Sequence, residues 1–192
     1  MQNKRLYLVC LTVFPFMICT GIIYSILSIY MASLGLTKSE IGTLFTAGAV
    51  GAAISSPFWG TLSDRFGRKK IMVFSMAAFA IVFLGYAFSR TYIHLVLVQV
   101  WEGLAWAAMG STAVALVADV VPEESRGKAM GIYNMTWNMG WIVGPSMGGF
   151  ISDHFGFMTT FLLCSGLTAA GLVLAAFLIP GRAQPGIAAP NA

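Results

Sequence analysis

The sequence predicts an all-α membrane protein with six transmembrane helices arranged as two inverted three-helix repeats. Three observations carry that prediction. Of 192 residues, 58% are hydrophobic and only 9% charged, with a mean hydropathy of +0.81; a soluble domain carries about 25% charged residues. The few charges gather in short connections between apolar runs, each long enough for a helix to cross a bilayer, which takes about 20 residues. A Pro/Gly string ending in Ser-Asp-x-Phe-Gly also occurs twice, one three-span unit apart.

Taken in order, the spans cover about 6–33, 41–61, 71–88, 93–120, 128–151 and 157–179. The connections between them are Gly35–Glu40, Ser63–Lys70, Ser89–Tyr92, Val121–Gly127 and Ser152–Gly156. The N-terminal Lys4-Arg5 followed by an apolar run imitates a signal peptide. That run continues to about Leu34, well past a signal core of about 7–15 residues, so it reads as an uncleaved first span. Residues 180–192, with three prolines plus Gly, Ala and Asn, read as a flexible tail or the start of a linker. Cys10, Cys19 and Cys164 fall inside spans without metal or redox spacing and read as small buried hydrophobes.

Lys and Arg set the orientation. With the N-terminus inside, nine of the eleven basic residues are cytoplasmic and only Lys38 and Arg90 lie outside. Both termini are then cytoplasmic, and the net charge of +4 belongs to membrane topology rather than to nucleic-acid binding.

The repeated string is Pro57-x-x-Gly60-Thr-Leu-Ser-Asp64-Arg65-Phe-Gly67 at the end of span two and Pro145-x-x-Gly148-Gly149-Phe-Ile-Ser-Asp153-His-Phe-Gly156 at the end of span five. Asp64 and Asp153 stand 89 residues apart. Three spans per unit inverts the second copy, so its loop faces outward. The first copy continues Arg68-Lys69-Lys70 and the second Phe157-Met158-Thr159, without positive charge, as inversion requires. The repeats are about 6–88 and 93–179, within a six-helix domain spanning 1–179.

The loop Gly60-Thr-Leu-Ser-Asp64-Arg65-Phe-Gly67-Arg68-Lys69-Lys70 resembles the signature loop between the second and third helices of the major facilitator superfamily of transporters. Asp119-Val-Val-Pro122-Glu-Glu-Ser-Arg126-Gly127 is similar to that family's loop between spans four and five. The resemblance covers about 6–179 and implies one six-helix half of a twelve-helix fold. It also implies a cytoplasmic gate made by Gly60, Asp64, Arg65, Gly67, Arg68, Asp119 and Arg126, whose charges form an ion-pair latch that holds one conformation and releases in the other. Gly60 and Gly67 are expected to allow close backbone approach and a sharp turn. Asp64 is expected to cap a helix terminus or meet a dipole, with Arg68 reaching back to it or across to Asp119. The same basic residues also fit a plain topology signal.

Span four carries Glu102, the one acidic residue deep in any span, about 15 Å from the outer end at helical rise. A carboxylate there is costly, and such residues face a cavity and serve coupling or substrate binding; a protonated Glu bonded between helices is the structural alternative. Gln99, Glu102, Gly103, Trp106 and Gly110 share its face. The segment resembles the family motif R-x-x-x-G, with Gln99 where the family has arginine. Where the family uses that arginine in proton coupling, Glu102 is a substitute or binds a substrate cation. Span five presents Asn134, Trp137, Asn138 and Trp141 as a polar-aromatic stripe suited to a solute cavity or to interhelical bonding. Gly140, Gly144, Pro145, Gly148 and Gly149 form a ridge for close packing with a proline kink, and resemble a span-five motif of drug:proton antiporters. In span one, Thr20, Tyr24 and Ser28 form a cavity wall or a packing face, and His94 marks the outer boundary.

There is no phosphate loop, metal spacing or Ser/His/Asp pattern, so an enzyme, a metal and a cofactor are all unexpected. The resemblance implies secondary transport by alternating access: proton-coupled export of a small amphipathic or drug-like solute across the plasma membrane. A metabolite symporter and a non-transporting half or scaffold are the alternatives. The expected partners are the solute, protons, the bilayer and a second six-helix half, supplied by a missing C-terminal segment or by a second copy.

Overall fold

The computed structural model describes residues 2–179, and the expected tail at 180–192 lies outside them. Five α-helical runs account for nearly all of it: α1 (Gln2–Ser33), α2 (Lys38–Phe66), α3 (Arg68–Phe88), α4 (Tyr92–Asp119) and α5 (Arg126–Leu178), with a short 3-10 turn at Glu123–Ser125. Five runs rather than six separate helices correct the expected count of elements. The reason lies at Gly156, where φ 79° and ψ 163° break the helical path in a single residue. The expected connection Ser152–Gly156 is therefore helical through Phe155 and turns only at the glycine.

Neighbours along α1 show what that turn does. On the first arm of α5 (126–155), Gly140 lies against Met17, Gly144 against Gly21 and Gly148 against Ile22, so the arm climbs alongside α1. On the second arm (157–178), Phe161 packs on Tyr30 and Gly171 on Thr12, so the chain descends again. The fifth run is a hairpin, so its two arms and the four helices before it make six helical segments side by side. Gly67 does the same between α2 and α3, at φ 99° and ψ 131°. The expected loop Ser63–Lys70 shrinks to that one residue. Gly67 and Gly156 close the two copies of Ser-Asp-x-Phe-Gly, so both copies end on a backbone conformation open to glycine almost alone.

The other ends follow local rules. After α1, Gly35 takes φ 87°, the Gly35 N–H donates to Ala32 O and the Leu36 N–H to Met31 O, a Schellman stop. Thr37 and Glu40 then open α2 with a reciprocal capping box. Thr91 caps α4 by accepting from the His94 N–H, and exposed His94 sits at that boundary.

α1 is the central column, with Phe16, Met17, Ile22, Ile23 and Leu27 fully buried. It packs on α5, α2 packs on α4, and α3 fills the space between α4 and α5. Both main crossings are made by glycine: Gly140, Gly144 and Gly148 against α1, and Gly48 and Gly51 against Gln99 and Val100 of α4. Without a hydrophobic force between helices in lipid, such close approach is what holds them together. α2 lies at the rim; only Leu44 and Ser63 of its residues are buried. The three cysteines are buried and free.

Candidate functional site: a buried carboxylate beneath an aromatic cleft

The α2–α4 crossing leaves a cleft of about 220 Å³. Phe45, Gly48, Ala49 and Ala52 of α2 form one wall, and Tyr24, Gln99, Glu102, Gly103 and Trp106 form the rest. The close contact of Gly48 with Gly103 brings the two backbones together, so the residues on either side of it face one space.

Glu102 lies at the base of this cleft, only 2% exposed. Its carboxyl is held from two helices. Tyr24 of α1 donates its hydroxyl to Glu102 Oε1 at 2.8 Å. Tyr86 of α3 places its hydroxyl oxygen 2.5 Å from Glu102 Oε2 and 2.5 Å from Gln99 Oε1. Trp106 closes the ring by donating Nε1–H to Tyr24 Oη at 2.7 Å. The cluster is thus a connected polar network inside an apolar bundle, where leaving any member unpaired is expensive.

Aromatic rings surround it. Trp106 meets Phe79 edge-on at 4.9 Å, Tyr24 at 6.2 Å and Trp137 at 5.4 Å, and Tyr24 meets Trp141 at 5.9 Å. The span-five stripe therefore divides. Trp137 and Trp141 join the Glu102 cluster through rings, whereas Asn134 and Asn138 are exposed, and Asn138 Nδ2–H donates to Asn134 O of its own helix. The span-one stripe divides likewise: Thr20 is buried and donates to Met17 O, Tyr24 enters the network, and Ser28 is exposed. Gly110 is exposed, away from the cleft.

The residues of the two charged loops also sort out. Arg68 bridges two carboxylates: Nε lies 2.9 Å from Asp119 Oδ2 and Nη2 3.3 Å from Asp64 Oδ1. This ties the first turn of α3 to the last turns of α2 and α4. Asp64 spans the turn through Arg68 and caps no helix, since α3 starts without a side-chain cap bond. Arg126 does not join them; its Nη1 lies 3.8 Å from Glu123 on its own turn. Arg65 lies over the Phe66 ring at 5.6 Å. Gly60 is helical with open space beside it, so the expected close approach occurs at Gly48, Gly51 and Gly103 instead. In the span-five ridge, Gly140, Gly144 and Gly148 touch α1, with Pro145 inside the helix, while Gly149 faces open space.

Tyr86 is the site residue that sequence reasoning missed. A tyrosine hydroxyl in a charge-free span needs a partner, and that was the available signal; which partner depends on how α3 packs against α4. No group of His, Cys, Asp and Glu among the described residues could hold a metal ion.

Comparison with known proteins agrees with this architecture. The Major Facilitator Superfamily model matches residues 9–191. The chain is 31% identical over 152 residues to the quinolone resistance protein NorA of Staphylococcus aureus (strain MRSA252), covering 79% of this chain and 39% of NorA. It is 30% identical over 170 residues to an uncharacterized MFS-type transporter of Methanocaldococcus jannaschii, covering 88% of this chain and 44% of that protein. The chain thus spans less than half the length of these relatives. With five helical runs long and apolar enough to cross a membrane, the last of them broken at Gly156, and a match along nearly its whole length, the chain belongs to the Major Facilitator Superfamily of transporters.

Proposed function

We propose that this chain forms the N-terminal half of a secondary transporter that works by alternating access and exports a small amphipathic solute in exchange for protons. The observation that carries the reading is Glu102, sealed at the base of an aromatic cleft and held by Tyr24 and Tyr86. A single carboxylate at that depth alternates between two occupants, a proton or a cationic solute, and this mutual exclusion is the logic of exchange. Gln99, Tyr24 and Trp106 line the solute path, extended by Trp137 and Trp141. Asn134 and Asn138 line the side facing the second half, which is a C-terminal segment or a second copy. The Arg68–Asp119 pair gates: while it holds, the cytoplasmic ends of α3 and α4 stay together, and its release lets the cleft open inward. Both termini are cytoplasmic, in the plasma membrane. The name of NorA, a quinolone resistance protein, supports a drug-like solute.

The cleft lining has one carboxylate and no basic side chain. That favours an amphipathic cation over the organic acids that a metabolite symporter would take. The test uses inverted vesicles containing the chain with a second six-helix half and a pH dye in the lumen. Solute added to the bath should alkalinise the lumen if protons leave as solute enters. Acidification would mean symport, and no pH change would mean that the chain does not couple protons to transport.

A further inference from the structure

The hydrogens around Tyr86 fix a direction for the network. Tyr86 Oη is 2.5 Å from both Glu102 Oε2 and Gln99 Oε1, and each contact needs a hydrogen between its oxygens. A phenol has only one. With the Gln99 oxygen turned to Tyr86, the phenol donates to Gln99, and the hydrogen in the Glu102 contact belongs to the protonated carboxyl. Gln99 Nε2 is then left without a partner among the described residues, yet it is not sealed in, because Gln99 lines the cleft.

Loss of the Glu102 proton reverses the chain. The proton passes to water in the cleft, its bonding pair stays on the carboxylate, and the Tyr86 hydrogen swings from Gln99 to Glu102. Two bare oxygens would then face each other at Gln99, and half a turn of the amide removes the conflict by pointing Nε2–H at Tyr86 Oη. No covalent bond changes except the O–H of Glu102.

We propose that Tyr86 and Gln99 are positioning residues that transmit the protonation state of Glu102 to the cleft, by reversing this hydrogen-bond chain and turning the Gln99 amide. With Glu102 protonated, Gln99 shows the cleft an N–H donor; with Glu102 ionised, it shows a carbonyl acceptor beside a carboxylate. The ionised site therefore favours solutes bearing an N–H donor, and the protonated site disfavours them. The inference rests on the reading of Glu102 as the proton carrier. Other titratable groups do not confuse it. Tyr24 faces Glu102 from α1 and Tyr86 from α3, the α2 wall has no ionisable side chain, and α5 meets the cluster with the rings of Trp137, Trp141 and Phe161, none of them titratable.

The experiment is an infrared pH titration of the full chain in lipid nanodiscs with carbon-13 glutamine. Bands are assigned by difference against Glu102→Gln and Gln99→Met; Gln2 and Gln184 are the other glutamines. In the unsubstituted chain, the Gln99 amide bands should shift at the same midpoint as the Glu102 carboxyl band. In Tyr86→Phe the Gln99 shift should vanish while the carboxyl still titrates. Tyr86→Phe should also raise the carboxyl midpoint by about one pH unit, a tenfold change in proton affinity. Tyr86→Phe removes the charge-assisted donor to the carboxylate, whereas Gln99 bonds the phenol in both protonation states and its replacement should leave the midpoint nearly unmoved. A titrating carboxyl with stationary Gln99 bands overturns this inference and leaves the proton carrier standing. A carboxyl that does not titrate overturns both.

Discussion

Alanine at Gly144 tests the account of how α1 and α5 meet, because the structure fixes what the new methyl group would strike. It would lie 2.7 Å from Gly21 Cα and C and 2.8 Å from Ile22 N, all backbone atoms of α1 that cannot rotate aside. Carbon atoms rest at about 3.5–4.0 Å, so the helices must separate by close to 1 Å along the contact. Overpacking of this kind costs about 1–3 kcal/mol, partly offset by the gain of about 1 kcal/mol from Ala over Gly in a helix. The net expectation is a loss of up to about 2 kcal/mol. Gly149→Ala is the control: its methyl group meets nothing within 4 Å, so only the helix gain remains, up to about 1 kcal/mol of stabilisation. Reversible unfolding in mixed micelles, followed by tryptophan fluorescence, should separate the two variants by about 1–3 kcal/mol, since the helix gain is common to both. Equal stabilities, or a Gly149→Ala as weak as Gly144→Ala, would refute the packing argument.

Two further predictions use the same unfolding assay. Gly67→Ala and Gly156→Ala have open space beside them, yet each should lose about 1–3 kcal/mol because φ of 99° and 79° with extended ψ strains any L side chain; unchanged stability would remove the hinge role of these glycines. Arg68→Ala should change stability by no more than about 1 kcal/mol, since the Arg68, Asp64 and Asp119 side chains are 28%, 68% and 53% exposed and such ion pairs are screened. Thiol labelling of a cysteine placed at the C-terminal end of α4, beside Asp119, should nonetheless speed up, and labelling at the wild-type rate would argue that the bridge latches nothing.

Much of this molecule could be read from its sequence. Apolar runs bounded by charge located the crossings, and the paired Ser-Asp-x-Phe-Gly strings marked the two reversals now seen at Gly67 and Gly156. What spacing alone could not show was how little chain a reversal needs: one glycine replaces each expected loop, because a single extended positive-φ residue redirects the helix. Helical periodicity puts Gly140, Gly144 and Gly148 on one face and leaves out Gly149, one residue and about 100° further round, although the motif includes it. Arg68 lay within reach of both Asp64 and Asp119 by spacing, whereas Arg126 found a nearer acid in Glu123. Trp106 and Glu102 fall on one helix face, so their proximity was legible. Tyr86 was not, because its hydroxyl meets Glu102 only through the tertiary packing of α3 on α4, and no local pattern records that. Asn134 and Asn138 show the converse: their period was right, but which side of the helix faced the cleft was decided by the glycine contact with α1.

The central claim is that Glu102 carries the coupling proton, and pH-gradient-driven solute flux through proteoliposomes containing this chain and a second six-helix half tests it most directly. The account predicts that flux in the unsubstituted protein rises with the imposed gradient. With Glu102→Gln, which preserves size and hydrogen bonding but cannot exchange a proton, flux should become independent of the gradient. Gradient-driven flux that persists in Glu102→Gln would contradict the claim and move the proton site elsewhere.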